Sequence, residues 1–491
     1  MAQYLKIDIN DNVAVALTNL NKGDNIDGII LLDDIKQGHK FALRDISKNE
    51  NIIKYGYPIG HASKDIKQGQ HVHSFNLETN LSGELEYSYN PKEIIKQSGK
   101  ERFVLAYRRK FNKVGIRNNL MIVPLVGCIN ASCEQIKQIL LPQIDHKFVD
   151  EIIVSKHPYG CSQLGDDHLT TIDVLHSIVK HPNNGGVLVV SLGCENNQLD
   201  NFKKTLGEYD EERVLFLKAQ DVHNEVEEGV KLCLNLLEKM KNDQREKVSL
   251  KEITIGLKCG GSDGFSGITA NPLVGKISDY MASIGGSAIL TEVPEMFGAE
   301  QILMERATSE ETFEKIVNLI NSFKNYYKSH NQVCYENPSP GNKEGGITTL
   351  EEKSLGCTQK SGHSKVVDVL YLGKQITKPG LNLLNGPGND MVACTNLACA
   401  GAHIILFTTG RGTPFGTFVP TLKIATNNAL ASNKNNWIDF NAGKLLDGVS
   451  LDELSEQFIE FIIKVINNEI KAKNEINQFE EIAIFKDGVT L

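Results

Sequence analysis

Residues 258–272 read KCGGSDGFSGITANP. They follow residues 253–257, a short apolar run that predicts a buried strand. Where the run ends, apolar residues give way to a thiol, glycines, hydroxyls, a carboxylate and an amide. Glycine allows positive φ and a close approach of the backbone to a ligand. We therefore predict an active-site loop at the end of this strand.

Five other apolar runs end in similar polar loops. They occupy residues 121–126, 151–155, 187–192, 288–291 and 403–407, and they lead into Gly127-Cys128, His157 to Cys161, Gly193-Cys194, Glu292 to Glu295 and Thr408 to Gly412. Continuous rather than alternating runs are typical of parallel strands covered on both faces. Ligands of such sheets bind beyond the carboxyl ends of the strands. Ordinary turn chemistry explains the glycines but not the repeated cysteines.

Bulk composition excludes several classes of protein. The 491 residues suggest two or three domains, and 41% hydrophobic with 23% charged residues is typical of a globular protein. A net charge of −9 argues against a nucleic-acid partner. No apolar stretch approaches the roughly 20 residues that span a bilayer, so no membrane partner is expected. Ten cysteines without a signal-like start predict a reducing, cytoplasmic location.

The chain divides into regions of different pattern. Residues 1–76 combine short β-like pieces with turns and predict a small β module. Residues 77–105 are polar and irregular and predict a linker. Strand and helix patterns alternate over 106–330, the Pro- and Gly-rich residues 331–364 predict an active-site loop segment, and 365–491 predict a last α/β region. The predicted fold class is α/β, with a small β module before two α/β regions built on mainly parallel sheets.

Histidines and cysteines offer two kinds of metal site. His71 and His73 would share one face of a strand, which suits a divalent metal, although solvated or hydrogen-bonded histidines fit as well. Thiolates from separate strand ends, Cys161, Cys194 and Cys259, could instead hold an iron–sulfur cluster with one open iron. Cys128 also stands at a strand end. The same cysteines could instead be small buried residues around a single metal ion bound by histidine and carboxylate. We predict packing roles for Cys133, Cys233, Cys334, Cys357, Cys394 and Cys399.

Charged residues in the loops complete the candidate set. Arg117, Lys258, Lys343 and Arg411 could bind a substrate carboxylate, since arginine suits bidentate pairing. Glu195, Asp263, Glu292 and Glu295 could serve as metal ligands or as a general base. A salt bridge or a helix cap explains any one of them as well. Neither nucleotide-binding glycine fingerprint occurs at a strand-to-helix junction, so a nucleotide site is disfavoured.

Several phrases of the sequence carry a family resemblance. Residues 259–263 read CGGSD, 266–272 read SGITANP, 337–343 read NPSPGNK, 407–414 read FTTGRGTP and 441–443 read NAG. Together they resemble the altronate/galactarate dehydratase family over nearly the whole chain. Residues 38–40 (GHK) and 59–62 (IGHA) are similar to that family's small β-clip (SAF) domain. The His71–His73 pair matches the altronate branch better, and Ile116 departs from a Gly-Thr-Arg-Asn phrase that is common there.

The resemblance implies dehydration of a sugar acid, D-altronate to 2-dehydro-3-deoxy-D-gluconate, with an Fe²⁺ or Mn²⁺ requirement. We expect a cytoplasmic homo-oligomer such as a dimer. Expected catalytic residues are His39, Lys258, Ser262, Asp263 and Arg411. Expected substrate-binding residues are Arg117, Asn271, Asn342, Lys343, Thr409 and Arg411. Expected metal ligands are His71 and His73, with Cys161, Cys194 and Cys259 as the alternative cluster ligands.

Three other functions are compatible with parts of the sequence. Another sugar acid such as galactarate could be the substrate. A carbon–sulfur lyase acting on a sulfonated hydroxy acid is a second alternative, but we expect that lyase to be split between two polypeptides. A non-catalytic sugar-acid-binding protein is a third, which the density of polar loops at strand ends disfavours.

Overall fold

The structure is a computed structural model that describes residues 2–81, 87–94, 98–333 and 337–490. The predicted linker and the predicted loop segment therefore lie partly outside the described residues, and so does Cys334, for which we predict a packing role. Among the described residues, no helix combines the length and the hydrophobicity needed to cross a bilayer.

A module of short antiparallel strands forms the N-terminal region. The strands are Tyr4–Leu5, Val13–Ala16, Asn25–Ile26, Ile29–Ile30, Lys40–Ala42, Asn51–Lys54, Tyr57–Ala62, His71–Val72 and Leu77–Glu78. Each strand is too short for a long alternating pattern, so each contributes only a few core residues such as Phe41 and Ile59. The prediction of a small β module is confirmed.

Two sheets occupy the next region. Val114–Gly115, Phe103–Arg108 and Arg245–Ser249 pair antiparallel in that order. Ile152–Val154, Asn119–Pro124, Asn184–Ser191 and Val214–Lys218 form a four-stranded parallel sheet in that order. The chain adds one strand on one side of Asn119–Pro124 and the next on the other side. The strand order therefore reverses between Asn119–Pro124 and Asn184–Ser191.

A seven-stranded parallel sheet organises the rest of the chain. Its order is Val366–Leu370, Gly380–Leu384, Ser287–Leu290, Thr254–Cys259, Ile404–Thr409, Thr421–Ala425 and Phe440–Asn441. All residues of the two central strands, Thr254–Cys259 and Ile404–Thr409, are buried, as expected for a sheet covered on both faces. The order reverses between these two strands. Ligands of open α/β sheets bind in the crevice at such a switch point.

Helices surround the parallel sheets, and the prediction of an α/β fold with mainly parallel sheets is confirmed. The α-helices are Asn130–Leu140, Gly165–Val179, Leu199–Leu206, Glu225–Met240, Ala270–Ser283, Glu300–Met304, Glu310–Ser329, Pro340–Glu344, Leu350–Thr358, Asp390–Cys399, Asn428–Asn433, Leu451–Ile466 and Lys473–Ile476. Asn224, Ser309 and Ser450 cap three of the longest, each accepting hydrogen bonds from first-turn N–H groups.

A buried ion triad fastens the N-terminal module to the helix Leu350–Thr358. Lys40 Nζ lies 2.9 Å and Lys54 Nζ lies 2.7 Å from the two carboxylate oxygens of Glu352. All three side chains are buried, and their mutual charge holds the pKa of Glu352 well below its usual range despite burial. Thr349 adds a hydrogen bond to the carbonyl of Ile59. The module is therefore held over the carboxyl edge of the seven-stranded sheet.

Candidate active site

The switch point of the seven-stranded sheet is closed by backbone contacts between two glycine-rich loops. The N–H of Gly260 donates to the carbonyl of Thr408, and the N–H groups of Gly410 and Arg411 donate to the carbonyl of Gly261, each at 3.0 Å. A Cβ at position 260 would lie 2.6 Å from the Phe407 ring, and Gly261 has φ +62°. Only glycine lets the loops approach in this way.

Asp263 organises the same loops. Its carboxylate accepts hydrogen bonds from Ser266 Oγ at 3.0 Å, Thr426 Oγ1 at 2.9 Å and Asn427 Nδ2 at 3.1 Å. Burial raises the pKa of Asp263, and the hydrogen bonds oppose that shift. These contacts occupy both carboxylate oxygens, so the described geometry gives Asp263 a positioning role.

A network of buried charges lies directly beneath these loops. Glu292 accepts hydrogen bonds from Lys258 Nζ, from the N–H of Cys259 at 3.0 Å and from Lys360 Nζ at 3.3 Å. Lys258 also lies 3.0 Å from Asp390. Glu292 has φ +71°, a left-handed conformation that a side chain rarely adopts and that is typical of strained functional positions.

Two thiols and a carboxylate converge inside this network. The sulfur atoms of Cys259 and Cys357 lie 3.4 Å apart, and each lies 3.1 Å from Glu295 Oε2. All three residues are buried, with 2 to 6% of their surface exposed. Among the residues that the structure describes, this is the one group of three metal-ligating side chains whose ligand atoms lie within 4.8 Å of one another. Its donor set suits a soft or borderline divalent ion.

The cations determine how the carboxylates of this network ionise. Burial alone would raise the pKa of Glu295, but the nearby ammonium groups of Lys353, at 2.7 Å, and of Lys258 lower it well below its usual range. Burial, followed by the charge of Glu295, raises the pKa of Glu292. The hydrogen bond from Cys259, together with burial, raises the pKa of the Cys357 thiol. Despite burial, the neighbouring carboxylates in turn raise the pKa of Lys258, Lys353 and Lys360, so these lysines stay charged beneath the loops.

Three histidines of the N-terminal module face the neighbouring loop. His39, His71 and His73 lie with ring centroids 5.2 to 5.5 Å apart. His39 Nε2 donates to the carbonyl of Glu344 at 3.0 Å, and His73 Nε2 donates to the carbonyl of Lys343 at 2.9 Å. These bonds fix the neutral tautomer of His39, so its Nδ1 accepts from His71 Nε2 at 3.1 Å.

Burial lowers the pKa of all three imidazoles. For His71 the pKa falls to about 3, because burial and the neighbouring His39 and His73 all disfavour a positive charge. Burial is also the largest cause for His39 and for His73. The cluster is therefore neutral at neutral pH, the state in which imidazole accepts protons or binds metal.

Several predicted residues meet between the histidines and the charge network. Asn342 Nδ2 donates to the carbonyl of Ser262 at 2.8 Å, and Lys353 Nζ lies 3.3 Å from Asn342 Oδ1. Arg411 is exposed at the rim, where its guanidinium contacts the carbonyl of Gly341 at 3.2 Å and Glu344 at 3.0 Å. Lys343 is half-buried on the same short helix. The structure thus brings predicted residues from three sequence regions to one cleft.

Other predicted residues lie elsewhere or act as supports. Arg117 is fully buried, 2.9 Å from Glu475, and is not brought to the cleft. Asn271 accepts from Thr408 Oγ1 at 2.6 Å, and Thr409 Oγ1 accepts from the N–H of Gly412 at 2.8 Å, so both brace loops. Cys161 and Cys194 follow strands of the four-stranded sheet and do not join Cys259.

Sequence reasoning missed Cys357, Lys353 and Lys360. Cys357, predicted as a packing residue, is buried but contacts Cys259 across 98 positions of sequence. All three belong to the helix Leu350–Thr358 or to the turn after it. Every residue of this helix is buried. A charged helix of this kind shows no apolar face, so the periodicity gives no signal. The charged residues of this helix lie inside the predicted loop segment 331–364, and they are the one hint that the sequence offers.

Comparison with known protein families gives three matches in succession. Residues 2–80 match the altronate/galactarate dehydratase SAF domain. Residues 106–241 match the second domain of D-galactarate dehydratase/altronate hydrolase. Residues 250–490 match the C-terminal domain of D-galactarate/altronate dehydratase. The matches cover most of the chain and include every loop of the cleft.

Relatives of known function agree along the whole chain. The chain is 52% identical to altronate dehydratase of Escherichia coli (strain K12) and 53% identical to altronate dehydratase of Bacillus subtilis (strain 168), in each case over 100% of both chains. It is 32% identical to the galactarate dehydratase (L-threo-forming) of Escherichia coli (strain K12), over 99% of this chain and 97% of that one.

Proposed function

The chain belongs to the D-galactarate/altronate dehydratase family, and from this premise we propose that it eliminates water from D-altronate to give 2-dehydro-3-deoxy-D-gluconate. It is a hydro-lyase acting on a sugar acid. Its greater identity to the altronate dehydratases than to the galactarate dehydratase favours altronate as the substrate. Galactarate is the second candidate, and the assay below includes it.

The buried lysines beneath the switch point carry this proposal. Dehydration removes the proton from C2 of the aldonate, and the resulting enediolate places two negative charges on the carboxylate. The C3 hydroxyl then accepts a proton from an acid and leaves as water, and the resulting enol loses its O–H proton and gains one at C3 to become the 2-keto product. Lys258, Lys353 and Lys360 are fixed by ion pairs before substrate arrives, so they stabilise this developing charge without reorganising.

A divalent metal fits the same network. The family resemblance implies Fe²⁺ or Mn²⁺, and Cys259, Glu295 and Cys357 have the donor types and the convergence that Fe²⁺ needs. A bound ion would supply Lewis-acid stabilisation of the enediolate. The charges of the network are also compatible with a divalent ion. Three lysines balance the carboxylates Glu292, Glu295 and Asp390. An ion that displaces the two thiol protons therefore leaves the net charge of the network unchanged.

The histidine cluster is our candidate for proton transfer. Its imidazoles are neutral and half-buried, and His39 and His71 already share a hydrogen bond through which a proton can move. Metal binding by His71 and His73 remains a prediction, and metal content in variants separates the two roles. Arg411 and Lys343 at the rim would hold the substrate carboxylate, and Ser262 and Asn342 would line the cleft.

The test uses protein purified without oxygen and loaded with Fe²⁺ or Mn²⁺. D-Altronate, galactarate and a sulfonated hydroxy acid are supplied separately in D₂O, and products are followed by NMR. We expect a 2-keto-3-deoxy product from altronate alone or fastest, with deuterium incorporated at C3. Absence of that product with both metals would refute the proposal. Faster turnover of galactarate would identify galactarate, and not altronate, as the substrate.

Exchange of the C2 hydrogen distinguishes a base from a metal ligand. His71→Asn and His73→Asn should slow C2 exchange while the metal content stays that of the unaltered protein. His61→Asn is the matched control, since His61 lies in the same module but contacts Asn80 instead of the cluster. Loss of metal in the His71 or His73 variant would make these residues ligands.

A further inference from the structure

The four-stranded parallel sheet has a switch point of its own, and cysteines surround it. Gly127-Cys128, Gly160-Cys161 and Gly193-Cys194 each follow one of three adjacent strands. The strand order reverses between the strands that precede Cys128 and Cys194. Parallel neighbours lie ~4.8 Å apart, so their carboxyl ends deliver the three loops to one edge.

Hydrogen bonds tie the three loops together pairwise. The N–H of Gly127 donates to the carbonyl of Tyr159 at 2.8 Å, and the N–H of Ser162 donates to Asn196 Oδ1 at 2.8 Å. Asn197 Nδ2 donates to the carbonyl of Leu125 at 3.3 Å. A Cβ at Gly160 would lie 2.1 Å from the carbonyl oxygen of Leu125. The three loops therefore pack directly against one another.

The three thiols of these loops are exposed, which is unusual for cysteine. Cys128, Cys161 and Cys194 are the exposed cysteines among those that the structure describes, whereas Cys133 and Cys233 of the same region are buried. Cys161 Sγ lies 3.8 Å from Ser162 Oγ. Thiols in such a place are free to act as ligands.

Among the described residues, four of the buried side-chain atoms without a hydrogen-bond partner belong to these loops or to the helices that follow them. They are Asn130 Oδ1, Gln163 Nε2, His168 Nδ1 and Asn197 Oδ1. Each belongs to a residue within seven positions of one of the three cysteines. Buried polar atoms normally have a hydrogen-bond partner, so these unpaired atoms indicate that a further group binds there.

We propose that Cys128, Cys161 and Cys194 hold an iron–sulfur cluster at this switch point. Their sulfur atoms do not all lie within 4.8 Å of one another, and a multi-iron cluster does not require it, because each thiolate binds a different iron. Each thiol would release its proton to solvent and bond to one iron. Ferrous iron, ferric iron and sulfide supply the cluster, so its assembly on the chain requires no net electron transfer.

Three protein ligands leave one iron of a cubane cluster without a protein ligand. Because the three thiols are exposed, that iron would be open to a hydroxyl or carboxylate oxygen from solution, and it would act there as a Lewis acid. The site involves the four-stranded sheet and does not depend on the function proposed for the seven-stranded sheet. Compared with the cluster ligands predicted from the sequence, the proposed set contains Cys128 in place of Cys259.

The test is anaerobic reconstitution of the full chain with ferrous and ferric iron, sulfide and a thiol reductant, followed by gel filtration. We expect about four iron and four acid-labile sulfide per chain, with the broad visible absorption of such a cluster. Cys128→Ser, Cys161→Ser and Cys194→Ser should each lose most of the sulfide. Cys133→Ala and Cys259→Ser should keep it, since neither thiol belongs to the three loops.

Separate measurements distinguish a loss of cluster binding from a loss of folding or of enzymatic turnover. Circular dichroism should show equal folding for the three serine variants, whose exposed side chains leave the core unchanged. No sulfide in the reconstituted protein, or equal sulfide in all variants, would overturn the proposal. Iron bound without sulfide would overturn it as well. Sulfide bound by a protein that fails to dehydrate altronate would refute only the proposed function.

Discussion

The molecule contains the same structural device twice, with opposite outcomes. In both parallel sheets a strand ends at the switch point in a loop that carries cysteine beside glycine. At the seven-stranded sheet, Cys259 is buried under the N-terminal module and the helix Leu350–Thr358. At the four-stranded sheet, Cys128 and Cys194 are exposed. The strand and its loop therefore place a thiol, but the elements packed over the edge decide its chemistry.

Charge distinguishes the two edges further. The covered edge contains lysines and carboxylates in matched ion pairs, which stay charged because each has a partner. The loops of the open edge hold together through amides and backbone groups. A covered edge can stabilise a small anion, whereas an open edge with three thiols suits a metal cluster. Each of the following changes alters one of these differences.

Removing the carboxylate between the two buried thiols should have the largest effect. In Glu295→Gln, Lys353 loses its counter-charge and the candidate metal site loses its oxygen ligand. We expect kcat/KM for D-altronate to fall about 10³-fold, which is about 4 kcal/mol of transition-state stabilisation. Steady-state kinetics and metal analysis of the same samples measure it.

Glu351→Gln is the matched control for that variant. Glu351 is a buried carboxylate nearby that accepts hydrogen bonds from Thr79 and from the N–H of Asn80. Within the described part of the chain it forms no ion pair with a lysine. Its substitution should change kcat/KM less than tenfold. Equal losses in both variants would mean that the covered edge needs buried carboxylates only for its structure.

Weakening the attachment of the N-terminal module to the helix Leu350–Thr358 should lower the free energy of unfolding by almost as many kcal/mol. Glu352→Gln leaves Lys40 and Lys54 buried without a counter-charge, and breaking a buried ion pair costs about 3 kcal/mol or more. Burial already lowers the pKa of Lys40 to about 8, so this lysine should then lose its proton. Denaturant unfolding at pH 7 measures the loss, with Glu351→Gln again as the control. An unchanged free energy of unfolding would show that the module is held by its apolar contacts.

The sequence predicts those features of the two sheets that depend on residues close together in the chain. Continuous apolar runs report burial on both faces, so the parallel sheets and their polar strand ends follow from the runs themselves. The pairing of Cys259 with Cys357 does not follow, because 98 residues separate them and only the packing of the helix Leu350–Thr358 joins them. Arg117 and Arg411 both stand beside glycine-containing loops, yet one is buried against Glu475 and the other is exposed. Burial of a charge depends on its partner, which local sequence does not specify.

Alkylation of cysteines tests the difference in exposure directly. In metal-free protein at neutral pH, iodoacetamide should label Cys128, Cys161 and Cys194 at least about 100-fold faster than Cys259 and Cys357. Such a ratio corresponds to a local opening free energy of about 3 kcal/mol at the covered edge. Peptide mapping by mass spectrometry gives the rates. Comparable labelling of Cys259 would show that the covered edge opens readily, and urea-unfolded protein provides the equal-rate control.

The smallest effect concerns the seam between the two sheet regions, where two buried histidines lie. His181 Nε2 donates to the carbonyl of Ala402 at 3.2 Å, and His403 Nε2 donates to the carbonyl of Val114 at 2.7 Å. Burial lowers the pKa of His181 to about 3 and of His403 to about 4. The positive charge of Lys113 lowers both in the same direction.

Acid should therefore weaken the seam between the two sheet regions. Between the unfolded pKa of ~6.5 and the lower folded values, the unfolded chain binds protons that the folded chain refuses, so stability is complete above pH 6.5 and falls as the pH drops. His181→Gln should flatten this dependence by about 2 kcal/mol between pH 7 and pH 5, whatever its effect at pH 7. Denaturant unfolding at both pH values measures the slope, with exposed His223→Gln as the control. If the slopes of His181→Gln and the unaltered protein agree, the two sheets are joined independently of these imidazoles, and acid sensitivity has to be sought among the histidines of the cleft.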